Sequence, residues 1–229
     1  SCLTKVVAKV GVFRPFVESR EGDAFLSLLL NRAGSTTPAE QCVGATWDEF
    51  HADPEEALAR IVDAYRALAR EHDVVIIDGS DFTDVAGNPE LALNARVAAN
   101  IGVPVLLVVS GQNDVEDVVA SVEVSMAEIA DNHARTVAVV ANKCLPETRQ
   151  AVGEALTAIE GITSTTLPEV PLLAAPVVRE VLDAVEGTLI AGDETLLDRE
   201  AEPVLVCAMD VAHVLERLTA GQPAIVPAD

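Results

Sequence analysis

Three long apolar runs, each closing on a polar residue, constrain the fold of this chain more than any other feature. They are Asp-Val-Val-Ile-Ile-Asp-Gly-Ser at 73–80, Val-Pro-Val-Leu-Leu-Val-Val-Ser at 103–110 and Thr-Val-Ala-Val-Val-Ala-Asn-Lys at 136–143. Apolar runs of this length, rich in β-branched residues and without alternation, are the pattern of strands covered by helices on both faces. In an open parallel sheet, ligands collect beyond the carboxyl ends of the strands. Asp78, Ser110 and the pair Asn142-Lys143 therefore fall where binding or chemistry would occur.

Helical patterns separate these runs. A first strand over 6–13 closes on Arg14-Pro15, and a short helix near 22–32 leads into a turn-rich stretch at 34–38. Asp53-Pro54 has the chemistry of a helix start, an N-cap acid followed by proline at the first helical position. Leu58, Ile61, Val62, Tyr65 and Leu68 then fall on one face at helical spacing. Further helices are expected over 90–101, 115–129 and 147–159, with a short strand over 162–167. Strand–helix alternation with short connections predicts a doubly wound, mainly parallel α/β sheet. Three prolines in 168–176 mark a change of texture. The reading is one α/β domain over 1–167 and, over 168–229, the first part of a small α+β domain that either stops early or docks on the first.

With 37 acidic against 15 basic residues, the chain carries a formal charge of −22. Phosphate backbones and anionic membranes would repel it, so neither nucleic acid nor membrane is an expected partner. No apolar run reaches the roughly 18 residues of a membrane span, and the cytoplasm is the default location. Cys2, Cys42, Cys144 and Cys207 lack the close spacing of a zinc site and read as free thiols. The four histidines are scattered, and Asp78-Gly79-Ser80-Asp81 lacks the ligand alternation of a calcium loop. No metal and no cofactor are expected.

Arg14 places a fixed charge at the strand-end crevice, where it could hold a phosphate or carboxylate, or instead pair with Asp78. Asp78 stands where nucleotide-binding α/β proteins place a magnesium carboxylate, though a hydrogen-bonded strand-end Asp would look the same. Asn142-Lys143 has the form of a base-reading pair. The sequence holds neither Gly-x-x-x-x-Gly-Lys-Ser/Thr nor Gly-x-Gly-x-x-Gly. Such a loop would follow a strand lying one helix before the first strand.

Taken together, Val10-Gly11-Val12-Phe13-Arg14-Pro15, Asp78-Gly79-Ser80-Asp81-Phe82-Thr83, residues 94–108 and Val139-Val140-Ala141-Asn142-Lys143 resemble the N-terminal region of long bacterial phosphate acetyltransferases, especially actinobacterial ones. The resemblance implies a dethiobiotin-synthetase-like, P-loop NTPase-like domain that here lacks its phosphate loop. Residues 168–176, Asp198-Arg199-Glu200 and 214–219 resemble the start of the DRTGG domain that follows in that family. The implied parent interconverts acetyl-CoA plus phosphate with acetyl phosphate plus CoA, in acetate metabolism. Its catalytic acyltransferase domain would lie beyond Asp229, leaving this region regulatory and oligomer-forming. The implied partners are that acyltransferase domain, further copies of the chain, and a small anionic effector in a crevice lined by Arg14, Asp78, Asn142 and Lys143. Two other readings are an ATP-dependent carboxylation–ligation enzyme of the dethiobiotin-synthetase type and a small-metabolite-binding module.

Overall fold

The structure, a computed structural model, describes residues 6–20, 22–80, 89–173, 175–201, 205–218 and 224–225. The chain divides into two compact units, Ser1–Leu167 and Pro168–Asp229. In the first unit the order is β1 (Val10–Val17), α1 (Ala24–Ala33), β2 (Val43–Thr46), α2 (Trp47–Ala52), α3 (Pro54–Ala69) and β3 (Val74–Ile77). There follow α4 (Pro89–Ile101), β4 (Val105–Ser110), α5 (Val115–Asp131), β5 (Thr136–Cys144), α6 (Arg149–Thr157) and β6 (Thr163–Pro168). Parallel strands alternate with helices, the α/β class expected of a P-loop-like fold.

Among the described residues the strands of this unit pair in two three-stranded sets, β2-β1-β3 and β4-β5-β6. β1 is central to the first sheet and runs four residues past Phe13, so Arg14 lies within the strand and not at its end. Val10 to Phe13 pair with β3, and Arg14 to Val17 pair with β2. Proline is tolerated at position 15 for a geometric reason. Lys9 and Phe13 accept bonds from β3, so Pro15 faces the same side two residues on, beyond the last residue of β3. Its missing N–H falls where no ladder partner remains.

Each sheet has its own apolar cluster. Phe13, Phe16, Val43, Ala45, Leu58 and Ile61 anchor the first, and Val118, Val122, Val139, Val152 and Leu156 the second. Aromatic contacts concentrate in the first, where Phe16 stacks on Trp47 at 5.1 Å and meets Phe50 edge-on at 5.2 Å. Burying each Val, Leu, Ile or Phe of this kind stabilises the fold by about 1.5–3 kcal/mol. Asp53 caps α3 through a bond from Glu56 N at 3.1 Å, with Pro54 at the first position, as its sequence implies.

β2 and α2 carry no strong sequence signature, because Val-Gly-Ala-Thr is short and low in β propensity. Close packing explains the glycine: a Cβ on Gly44 would stand 2.6 Å from Ile61 Cγ1 and 2.5 Å from the Pro15 carbonyl oxygen. α2 begins with a capping box, Thr46 and Glu49 bonding each other's backbone. Glu49 also receives Arg20 at 2.8 Å and Arg60 at 3.1 Å. These bonds draw the Glu49 carboxyl below its ordinary range, the Thr46 backbone N–H contributing most.

The second unit holds α7 (Val178–Ala184), β7 (Leu205–Val206), α8 (Val211–Arg217) and β8 (Ala224–Ile225), with β7 and β8 parallel. Among its described residues Leu197, Ala201 and Cys207 are buried apolar, while Leu173, Ile190, Val211 and Leu215 are exposed. No described helix is long and apolar enough to cross a membrane.

Candidate functional site

Arg14 lies at the centre of an ion cluster. Its Nη1 bonds Asp23 Oδ2 at 2.5 Å, and its Nε stands 3.1 Å from Asp78 Oδ2. The Nε–H is not directed at that carboxylate, so the Asp78 contact is an ion pair without an aligned hydrogen bond. The guanidinium also sits 5.4 Å from the centroid of the Phe25 ring, within cation–π range.

Asp23 uses both oxygens, because Oδ1 caps α1 by accepting from Leu26 N at 2.8 Å while Oδ2 takes Arg14. An N-cap acid beside a strand arginine is legible in the sequence as Gly22-Asp23-Ala24, but its pairing with Arg14 depends on α1 folding back over β1. The Asp78 carboxyl is raised above its ordinary range. Burial is the main cause, Asp23 adds to it by like-charge repulsion, and Arg14 opposes both.

These residues line a cavity of about 650 Å³ together with Ser19, Gly22, Phe25 and Gly79. The loop after β3 is held from the opposite side by Asn94 on α4. Asn94 Oδ1 accepts from Ser80 N at 3.1 Å and Ser80 Oγ at 3.3 Å, and its Nδ2 donates to Ser80 O at 3.0 Å. Ser80 is buried by this clamp, and a Cβ on Gly79 would stand 3.0 Å from the Asn94 amide oxygen. Asn94 is a positioning residue that no motif announces.

Asn142 and Lys143 lie at the end of β5, in the other sheet, and neither lines the Arg14 cavity. Ser110, the last residue of β4, is in register with Asn142. The Asn142 side-chain oxygen accepts from the Lys143 backbone N–H at 3.0 Å, while its carbonyl accepts from Gly111 N at 2.6 Å. Lys143 is exposed and takes a left-handed backbone with φ 58°, a conformation with a steric penalty for a residue bearing a Cβ. The structure therefore brings Arg14 and Asp78 together and leaves Asn142 and Lys143 apart.

Among the described residues no group of three or more His, Cys, Asp or Glu could hold a metal ion. Cys42, Cys144 and Cys207 are buried free thiols; burial pushes the first two above the usual thiol range.

Comparison with known proteins adds three findings. The sequence pattern of the AAA domain family matches residues 1–208. A phosphate acetyltransferase of Nitratidesulfovibrio vulgaris is 24% identical over 99% of this chain and 34% of its own length. One from Synechocystis is 26% identical over 72% of this chain and 24% of its own. The chain thus spans about a third or less of the curated relatives it matches. Among solved structures, an arginine decarboxylase from Paramecium bursaria Chlorella virus aligns over 73% of this chain and 60% of its own at 10% identity. Its TM-score of 0.33 is too low to carry an argument.

Proposed function

This chain belongs to the AAA domain family, and from that membership we propose that it is the N-terminal regulatory and assembly region of a long, actinobacterial-type phosphate acetyltransferase. The reaction it would serve exchanges acetyl-CoA and phosphate for acetyl phosphate and CoA, within acetate metabolism. The observation that carries this reading is similarity to a phosphate acetyltransferase along 99% of the chain, aligned to only 34% of that relative. A region of that size leaves ample length for a separate acyltransferase domain. In this reading residues 168–229 begin a DRTGG domain.

The Arg14 cavity would serve as an effector site. Two carboxylates already pair with Arg14, so a small anion entering there competes with Asp23 and Asp78 for the guanidinium. The ligase reading requires a phosphate-binding loop, and these 229 residues contain none.

The test measures acetyl phosphate formation by residues 1–229 alone and by the full polypeptide. The full polypeptide is expected to turn over, and residues 1–229 are not. Turnover by the 229-residue chain comparable to the intact enzyme overturns the reading. In the full polypeptide, Arg14→Ala is expected to leave basal turnover intact and to shift the response to a small carboxylate by about tenfold, as loss of one charge-assisted contact would.

A further inference from the structure

A negative group on Arg14 is only half of what the charges around its cavity call for. Among the described lining residues, Glu18, Asp23 and Asp78 set three carboxylates against the one guanidinium of Arg14, a net charge of −2 when all are ionised. An anion entering alone meets that excess, with the rest of an acidic chain behind it. What accompanies the negative group therefore decides which ligand is selected.

The two acids that hold Arg14 are not equivalent. Asp23 is tied twice: its Oδ1 accepts from Leu26 N at 2.8 Å to cap α1, and its Oδ2 accepts from Arg14 Nη1 at 2.5 Å. Asp78 stands 3.1 Å from Nε without an aligned hydrogen bond, and the buried Nε–H has no acceptor. Nε and Nη2 form the edge of a guanidinium that a carboxylate takes bidentately. A ligand carboxylate on that edge satisfies a donor the folded chain leaves unsatisfied. It moves Asp78 aside and leaves Asp23 at its cap.

Asp78 is then a partly buried carboxylate without its cation, a costly state. Burial and Asp23 already push its pKa up, with Arg14 opposing, so losing Arg14 worsens its position. A positive group carried in by the same ligand restores the pair. It must lie beside the incoming carboxylate, because Asp78 starts only 3.1 Å from the nitrogen that the carboxylate takes over.

We propose that the cavity takes an α-amino acid, whose carboxylate pairs with Arg14 and whose ammonium, on the adjacent carbon, pairs with the displaced Asp78. This assignment of ligand class rests on the effector reading of the cavity. A zwitterion leaves the net charge of the cavity unchanged, and Phe25, 49% exposed at its wall, offers apolar surface to the ligand side chain.

The experiment titrates L-alanine, propionate and ethylamine into the full native polypeptide at pH 7 by calorimetry. The second and third probes are alanine without its ammonium and without its carboxylate. Alanine is expected to bind at least about tenfold more tightly than either, as one charge-assisted hydrogen bond would give. Asp78→Asn is expected to remove the advantage over propionate, and Arg14→Ala to remove alanine binding. Propionate binding as tightly as alanine, and weakened by Arg14→Ala, overturns the inference and leaves the effector reading standing. Ethylamine binding as tightly as alanine overturns the inference, because the carboxylate is then not recognised. Alanine binding that neither variant changes lies elsewhere and overturns it too. If no probe binds, the inference and the effector reading both fall. If Arg14→Ala does not fold, the ranking of the three probes on the wild type and on Asp78→Asn decides.

Discussion

Asp78 shows how one buried carboxyl shapes the behaviour of the candidate site. Its folded pKa lies above the unfolded value, so the native state binds more protons than the unfolded state between the two. Stability therefore falls as pH rises through that window, and the ionised group is unfavourable at neutral pH. Asp78→Asn is expected to stabilise the chain at pH 7 by no more than about 1 kcal/mol, since the variant also gives up the partly exposed pair with Arg14. The gap between wild type and variant should close as pH is lowered through the native pKa, because the protonated acid and the amide are then alike in charge. Urea unfolding from pH 3 to pH 7 checks this. A variant several kcal/mol less stable at neutral pH would show that the Asp78 charge holds the cluster together. Position 78 was legible as a polar strand end, yet the upward displacement of its pKa follows from burial, with Arg14 opposing it and Asp23 adding to it.

At the scale of elements, the helices and most strands follow from periodicity, and the exceptions have packing causes. β2 escaped the pattern because its four residues are chosen for closeness, with Gly44 letting α3 lie directly on the strand. Gly44→Ala is expected to destabilise the chain by about 1–3 kcal/mol, with Ile61 and the Pro15 carbonyl forced aside. A shift in the urea midpoint at constant slope measures it, and an unchanged midpoint would mean α3 has room to yield. β4 departs differently. Its uninterrupted apolar run predicts cover on both faces, but only Leu107 and Val109 are buried while Leu106 and Val108 are exposed.

Over the whole molecule, a charge of −22 on 229 residues opposes compaction. Raising NaCl from 0.01 M to 1 M shortens the screening length from about 30 Å to 3 Å. The melting temperature is expected to rise by about 3–6 °C over that range if repulsion of about 1–2 kcal/mol is relieved. Scanning calorimetry across a salt series checks the direction, and a fall with salt would mean that ion clusters such as Glu49 with Arg20 and Arg60 outweigh the net repulsion.

What the sequence determined by itself was the class of the molecule. Continuous apolar runs and helical spacing specify parallel strands between helices, because burial on a pleated or helical surface leaves a periodic record. The three polar strand ends were equally visible, as was the absence of a phosphate-binding loop. Which of those ends share a site was decided by tertiary structure alone. Strand order puts β1 beside β3, so Arg14 meets Asp78, while Asn142 and Lys143 end a strand in a different sheet. Strand order is a property of neighbours, and no residue records which strand will lie beside it.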